Sequence, residues 1–282
     1  MPRVVVLGTG TDVGKTRVTL ALKSALQRRA PHSPLLALKP VETGVDPRDP
    51  ALLAPSSQGQ SPSPSDAAVL AGGERGAAQH YRSYVWGISP HLAAARAGDE
   101  LHLAAIVQWV ERQEQAHSLH CHTIQGVSPS SGFRLDDEPS SASTATRDPS
   151  TSPIVTLVET AGGTFTPLSY ACTNLDLARA LEPAVWLLVA PDRLGVLHDV
   201  TSTIIAMERH ARRPDHVVLT SPPANDLSTG TNANELSQLR LCNVASILPT
   251  TGRFPNGPTL DRWLDSLLGR DQEAVATPRP TS

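Results

Sequence analysis

The nine residues Gly8-Thr9-Gly10-Thr11-Asp12-Val13-Gly14-Lys15-Thr16 constrain the fold of this chain more than any other stretch. They follow a short, mostly β-branched apolar run, Val4-Val5-Val6-Leu7, of the kind a strand buried in a parallel sheet requires. After them Val18, Leu20, Ala21, Leu22, Ala25 and Leu26 recur at helical spacing as far as Arg29. Glycines at a strand-to-helix turn let backbone N–H groups close around phosphate oxygens, and the helix N-terminus adds partial positive charge. Gly10, Thr11, Asp12, Val13 and Gly14 are therefore read as a nucleotide cradle. Lys15 is placed to reach the β- and γ-phosphates, and the Thr16 hydroxyl to ligate Mg²⁺. Counting back from Gly14-Lys15, the strict pattern asks for glycine at position 9, where this chain has Thr9; Gly8 makes the loop one residue longer.

The rest of the chain alternates short apolar runs with helical patterns. Strands are expected at 4–7, 35–38, 154–158, 185–189 and 216–220, with a weaker one near 244–248. Helices are expected at 16–29, 65–71, 90–97, 101–115, 174–181, 197–210 and 232–241. Such alternation predicts an α/β fold with a doubly wound, mainly parallel sheet, binding ligands beyond the carboxyl ends of its strands. Of 282 residues, 25 are proline, and together with serine they cluster. Residues 46–65 read as a surface loop, 113–153 as a mobile Ser/Pro-rich insertion with little to bury, and 270–282 as a frayed tail. That leaves a single phosphate-loop domain over 1–269. A net charge of −3 and a hydrophobic content of 39% exclude a strongly basic nucleic-acid face. No signal-like leader or bilayer-length apolar run is seen, so a cytoplasmic protein is expected. Three scattered cysteines, Cys121, Cys172 and Cys242, make no disulfide framework.

Two further stretches fall at strand ends, where the loop requires partners. Lys39-Pro40-Val41-Glu42-Thr43-Gly44 follows the second strand; proline and glycine break regular structure there and present Lys39 and Thr43 at the loop's edge. A lysine so placed neutralises phosphoryl charge. The third apolar run ends in Glu159-Thr160-Ala161-Gly162-Gly163, where Glu159 is the expected second Mg²⁺ ligand and Gly162 permits close backbone approach to a ligand. Asp66, in Ser65-Asp66, is either a helix cap or a third metal ligand by pattern alone.

These blocks, with Ser89-Pro90-His91-Leu92-Ala93-Ala94 and the segment Val158 to Ser169, resemble dethiobiotin synthetase and occur in that family's order. The family shares the lengthened loop. The resemblance implies ATP-dependent ring closure of 7,8-diaminopelargonate with CO₂ to dethiobiotin, through a carbamate and a carbamic–phosphoric anhydride. It implies that Thr11 and Thr43 bond the carbamate region, that Lys15 and Lys39 stabilise phosphoryl oxygens, and that Thr16, Asp66 and Glu159 hold Mg²⁺. It also implies a homodimer in which the turn at Gly195 meets the substrate carboxylate of the other subunit. Two departures stand out: His198-Asp199 replaces the family's Asn-His, and Thr220-Ser221 replaces its adenine-reading Asn-Asp.

Other features are read conservatively. His117, His120, Cys121 and His122 lack a second ligand pair for zinc. His91 opens a helix and is as suited to orienting a loop as to touching substrate. Trp86, Trp109, Trp186 and Trp263 are expected in the core or an interface, since no lysine or arginine is interleaved with them. The alternatives are a nucleotide-switched ATPase of the partitioning or maturation type, or an inactive dimeric relative. Lys15→Ala and Lys39→Ala are expected to abolish turnover without unfolding the protein.

Overall fold

A computed structural model describes residues 2–31, 33–45, 65–71, 80–125, 154–240, 244–249, 251–254 and 258–268. The elements run β1 (Arg3–Gly8), α1 (Lys15–Arg29), β2 (Leu35–Leu38), β3 (Val41–Thr43), α2 (Asp66–Ala71), β4 (Arg82–Tyr84), α3 (Pro90–Arg96) and α4 (Leu103–Gln125). They continue as β5 (Val155–Glu159), α5 (Asn174–Ala180), β6 (Val185–Pro191), α6 (Val196–His210), β7 (His216–Thr220), α7 (Asn232–Gln238), β8 (Val244–Leu248) and α8 (Pro258–Leu267). Six strands form one sheet in the order β2-β5-β1-β6-β7-β8. Every pairing in it is parallel, with Val5 of β1 opposite Val158 on one side and Trp186 on the other. From β1 the chain moves outward to β2, and after β5 it crosses to β6, β7 and β8. The crevice above β1 is therefore a point where the winding reverses, the place at which such sheets bind ligands.

Strand alternation feeds two cores. Val5, Leu7, Val158 and Leu188 face α3, α4, α5 and α6, meeting Ala93, Ile106, Leu177 and Ile204. Val4, Val6, Leu157 and Val189 face α1 and α8, meeting Val18, Leu22, Leu26 and Trp263. Leu22 and Leu26 are fully buried, and each such leucine contributes roughly 1.5–3 kcal/mol of transfer free energy. Burial on both faces explains why the strands read as unbroken apolar runs. Trp109, Trp186 and Trp263 are buried, and Trp86 packs against the first core.

Four elements, β3, β4, α4 and α8, differ from the expectation. Residues 41–43 do not break structure; they form β3, paired in parallel with β4, Val41 opposite Arg82 and Thr43 opposite Tyr84. Helix α4 continues to Gln125, ten residues past its expected end and into the segment read as an insertion. Its buried Glu114 accepts Arg3 Nε at 2.9 Å and Arg3 Nη2 at 2.7 Å, tying the helix to the start of β1. Helix α8 was not anticipated. The rest of the expected insertion, most of the 46–65 loop and the 270–282 tail lie outside the described residues. Among the described residues no helix is long and apolar enough to cross a membrane.

Candidate active site

The loop between β1 and α1 has two residues with left-handed backbone, Asp12 at φ 56° and Gly14 at φ 91°. A side chain at Gly14 would also meet Thr220, whose Cγ2 lies 3.0 Å from the position of a Cβ. Two threonines hold the loop from outside. Thr220, at the end of β7, donates its hydroxyl to the Val13 carbonyl at 2.8 Å. Thr164 donates its N–H at 2.7 Å and its hydroxyl at 2.9 Å to the Gly8 carbonyl. Thr9 donates its N–H to the Val189 carbonyl at 3.0 Å. Two backbone carbonyls and one N–H of this segment are thus spent on the scaffold, which fixes its shape before any ligand arrives.

Glu159, the last residue of β5, is fully buried at the centre of the polar site. Its carboxylate accepts the Thr16 hydroxyl at 2.8 Å and the Thr19 hydroxyl at 3.1 Å, and it pairs with Lys39 Nζ at 3.0 Å. Lys39, just past β2, is itself buried and also pairs with Asp66. Burial acts to lower the Lys39 pKa, but the carboxylates of Glu159 and Asp66 outweigh it and leave it raised. Lys15 is in the opposite position. Its Nζ donates to the Gly10 carbonyl at 3.1 Å, and burial pulls its pKa down to about 8 against the opposing pull of Glu159. The site therefore holds one lysine that stays charged and one poised to lose its proton.

Asp66 opens α2 without capping it. Buried Glu42, from β3, accepts the N–H of Asp66 at 2.6 Å and of Ala67 at 3.2 Å, while the Ser65 hydroxyl accepts the N–H of Ala68 at 3.2 Å. With those donors satisfied, the Asp66 carboxylate turns to Lys39.

A cavity of about 310 Å³ gathers most of the expected site residues: Thr11, Asp12, Gly14, Lys15, Thr16, Lys39, Thr43, Asp66, Glu159 and Gly162 all line it. Gly10 and Thr11 line a second cavity of about 370 Å³, walled by Phe165, Thr166, Pro167 and Thr203. Thr11 borders both. Gly163 keeps the two loops close, since a Cβ there would lie 3.3 Å from the Gly10 Cα. The Val13 side chain is buried rather than lining either cavity, and Gly195, the N-cap of α6 at φ 95°, borders neither. Thr160 turns its hydroxyl back to the Val6 carbonyl at 2.9 Å.

The Thr16 hydroxyl and the carboxylates of Glu159 and Asp66 are hard oxygen donors lining one cavity. Such a set suits Mg²⁺, which takes few protein ligands and completes its shell with water and phosphate. Among the described residues no cluster of three or more His, Cys, Asp or Glu could hold a metal. The side chains of His120, Cys121 and His122 lie outside them. His91 bonds the Ser89 hydroxyl through Nδ1 at 2.9 Å, within the turn that starts α3.

Sequence reasoning missed Thr19, Glu42, Arg17 and both loop-holding threonines. Thr19 had a signal, because it lies three residues after Thr16 on the same helix face. The others act on backbone atoms far away in sequence and leave no local pattern.

A family model described as "AAA domain" matches residues 2–262. Among solved structures, a chain of the MinC:MinD cell division protein complex of Aquifex aeolicus aligns with 100% of this chain and 98% of its own length, at 10% identity and a TM-score of 0.42. That overlay is too loose to add to the topology. Sequence relatives are nearer. The ATP-dependent dethiobiotin synthetase BioD of Methylobacterium nodulans is 32% identical over 231 residues, covering 79% of this chain and 82% of the relative. The proteins of the same name from Caulobacter sp. (strain K31) and Rhodococcus jostii are 32% and 30% identical, over 78% and 94% of this chain and 76% and 96% of their own lengths. With relatives at this identity over more than three quarters of its length, and a family model matching residues 2–262, the chain belongs to the ATP-dependent dethiobiotin synthetase family.

Proposed function

We propose that this protein is an ATP-dependent ligase of biotin biosynthesis that closes 7,8-diaminopelargonate and CO₂ into dethiobiotin. The observation that carries this reading is the placement of two buried lysines, Lys15 and Lys39, in one cavity with a buried carboxylate, Glu159, which pairs with Lys39, Thr11 being shared with the lining of a second cavity. One amine of the diamine adds to CO₂, giving a carbamate and releasing a proton. A carbamate oxygen attacks the γ-phosphorus of ATP and ADP leaves. The second amine then attacks the carbamoyl carbon, a C–N bond forms, phosphate departs and a further proton is lost.

No protein nucleophile is required, so the side chains work by position and charge. Lys15 and Lys39 bear on the oxygens of the transferring phosphoryl group. Thr11 and Thr43 hydrogen-bond the carbamate, and the loop from Gly10 to Gly14 cradles the phosphates, with Gly162 giving room at its side. Thr16, Asp66 and Glu159 would hold Mg²⁺, which when bound neutralises phosphate charge. Gly195, outside both cavities of its own chain, is assigned to the substrate carboxylate of a partner subunit in a cytoplasmic homodimer. Exposed Leu194 beside it is in keeping with a covered surface.

The reading is tested by mass spectrometry of a reaction with ATP, Mg²⁺, bicarbonate and the diamine. Dethiobiotin is expected, with little ATP turnover when the diamine is omitted; robust diamine-independent hydrolysis and no cyclic urea would overturn it. Lys15→Ala and Lys39→Ala should both abolish turnover. Because Lys39 neutralises buried Glu159, its removal should also lower stability, which qualifies for Lys39→Ala the expectation that turnover is lost without unfolding.

A further inference from the structure

Arg17, the third residue of α1, bonds no member of the lysine–carboxylate cluster among the described residues. Its Nη1 donates to the Ser221 carbonyl at 3.3 Å and its Nη2 to the Pro249 carbonyl at 2.9 Å. Ser221 follows β7 directly and Pro249 follows β8, so one guanidinium spans the two loops that leave neighbouring strands. Among the described residues no carboxylate pairs with it, although it lines the same cavity as Lys15 and Thr16.

The order of the sheet gives this bridge its meaning. With the phosphate loop above β1, Lys39 and Glu159 stand on the β2 and β5 side, whereas Ser221 and Pro249 stand on the β7 and β8 side. A triphosphate whose γ-phosphoryl lies at Lys39 and Glu159 must send its nucleoside across the sheet toward the loops that Arg17 ties. The polar groups at the root of those loops are already committed: Thr220 to the Val13 carbonyl, and the Ser221 N–H to the Leu248 carbonyl at 3.0 Å. A guanidinium fork can hold two carbonyls at once, which an ammonium cannot do in the same planar geometry.

We infer that Arg17 is a positioning residue for the nucleoside half of ATP, acting by clamping the loops after β7 and β8 against the phosphate loop. The inference rests on ATP occupying loop 8–16. Its test is calorimetric titration of ATP and of inorganic tripolyphosphate, each with Mg²⁺, into the wild-type protein and into Arg17→Met and Arg17→Lys. Both variants should bind ATP at least about tenfold more weakly, since hydrogen bonds from a charged donor are lost. Tripolyphosphate affinity should stay within about twofold in both, because that probe has no nucleoside. In turnover the KM for ATP should rise more than kcat falls. Equal losses for both probes, or restoration by lysine, would assign Arg17 to phosphate charge and overturn the inference. Unchanged ATP affinity with only a lowered melting temperature would overturn it as merely structural. If Arg17→Met fails to fold, the lysine variant decides between clamp and charge. A wild-type protein that binds neither probe would instead defeat the assignment of the loop to ATP.

Discussion

Raising the pH through the window set by Lys15 should move protein stability and ATP affinity in opposite directions. Burial holds this lysine's pKa at about 8 in the folded protein, against 10.5 for an ordinary lysine. Between those values the unfolded chain binds the extra proton and the folded one does not, so stability rises with pH across about 8 to 10.5. At about 1.4 kcal/mol for each tenfold step in proton affinity, the full gain is on the order of 3 kcal/mol. ATP responds the other way, because it uses the charged form. From pH 7 to pH 9 the protonated fraction falls from about nine-tenths to about one-tenth, so affinity should drop roughly tenfold, or about 1.4 kcal/mol. Lys39 adds nothing to either slope in this window, since its pKa is raised and it stays charged. Urea unfolding of the ligand-free protein and calorimetric ATP titration, both at half-unit pH steps and alongside Lys15→Arg, give the two curves. The arginine variant should flatten both. Parallel slopes, or ATP affinity independent of pH from 7 to 9.5, would refute the reasoning.

Two other outcomes are expected. Glu114→Ala should cost about 3–5 kcal/mol in urea unfolding by leaving the Arg3 guanidinium without its carboxylate, while the apolar pair Arg3→Met with Glu114→Leu should recover most of that loss; a double variant as unstable as the single one would show that the pair is not the cause. Thr220→Val should lower stability by roughly 1–3 kcal/mol and weaken ATP binding, because the Val13 carbonyl loses its donor, and Thr220→Ser should restore both; equal behaviour of valine and serine in the titration would rule out the hydroxyl.

What could be read from the residues alone follows from the range of the forces involved. The strands at 4–7, 35–38 and 216–220 are buried on both faces, so their composition announces them. Lys39 and Glu159 were found because each sits where an apolar run stops. The pairing of β3 with β4 was not legible: each is three residues long, too short for a period, and their partnership spans some forty positions of chain. Glu42 carries no local signal, since its task of capping α2 depends on a contact 24 residues away. The continuation of α4 past residue 115 is masked by the Ser/Pro-rich composition that follows, although Ala116 and Leu119 are good helix formers. In α8 a signal exists, since Leu260, Trp263, Leu264 and Leu267 recur at helical spacing.

The threonines that grip the Gly8 and Val13 carbonyls also bear on how such a loop can change over evolutionary time. Its path is dictated by atoms every amino acid carries, so the side chains at positions 9 and 11 are not what keeps it in shape. A glycine at position 9 is one way to build a phosphate cradle; an outer brace is another, and it frees that position to drift. A search keyed to a glycine at position 9 would pass over chains built this way, whereas one that also weighs bracing threonines at the end of β7 and in the loop after β5 would recover them.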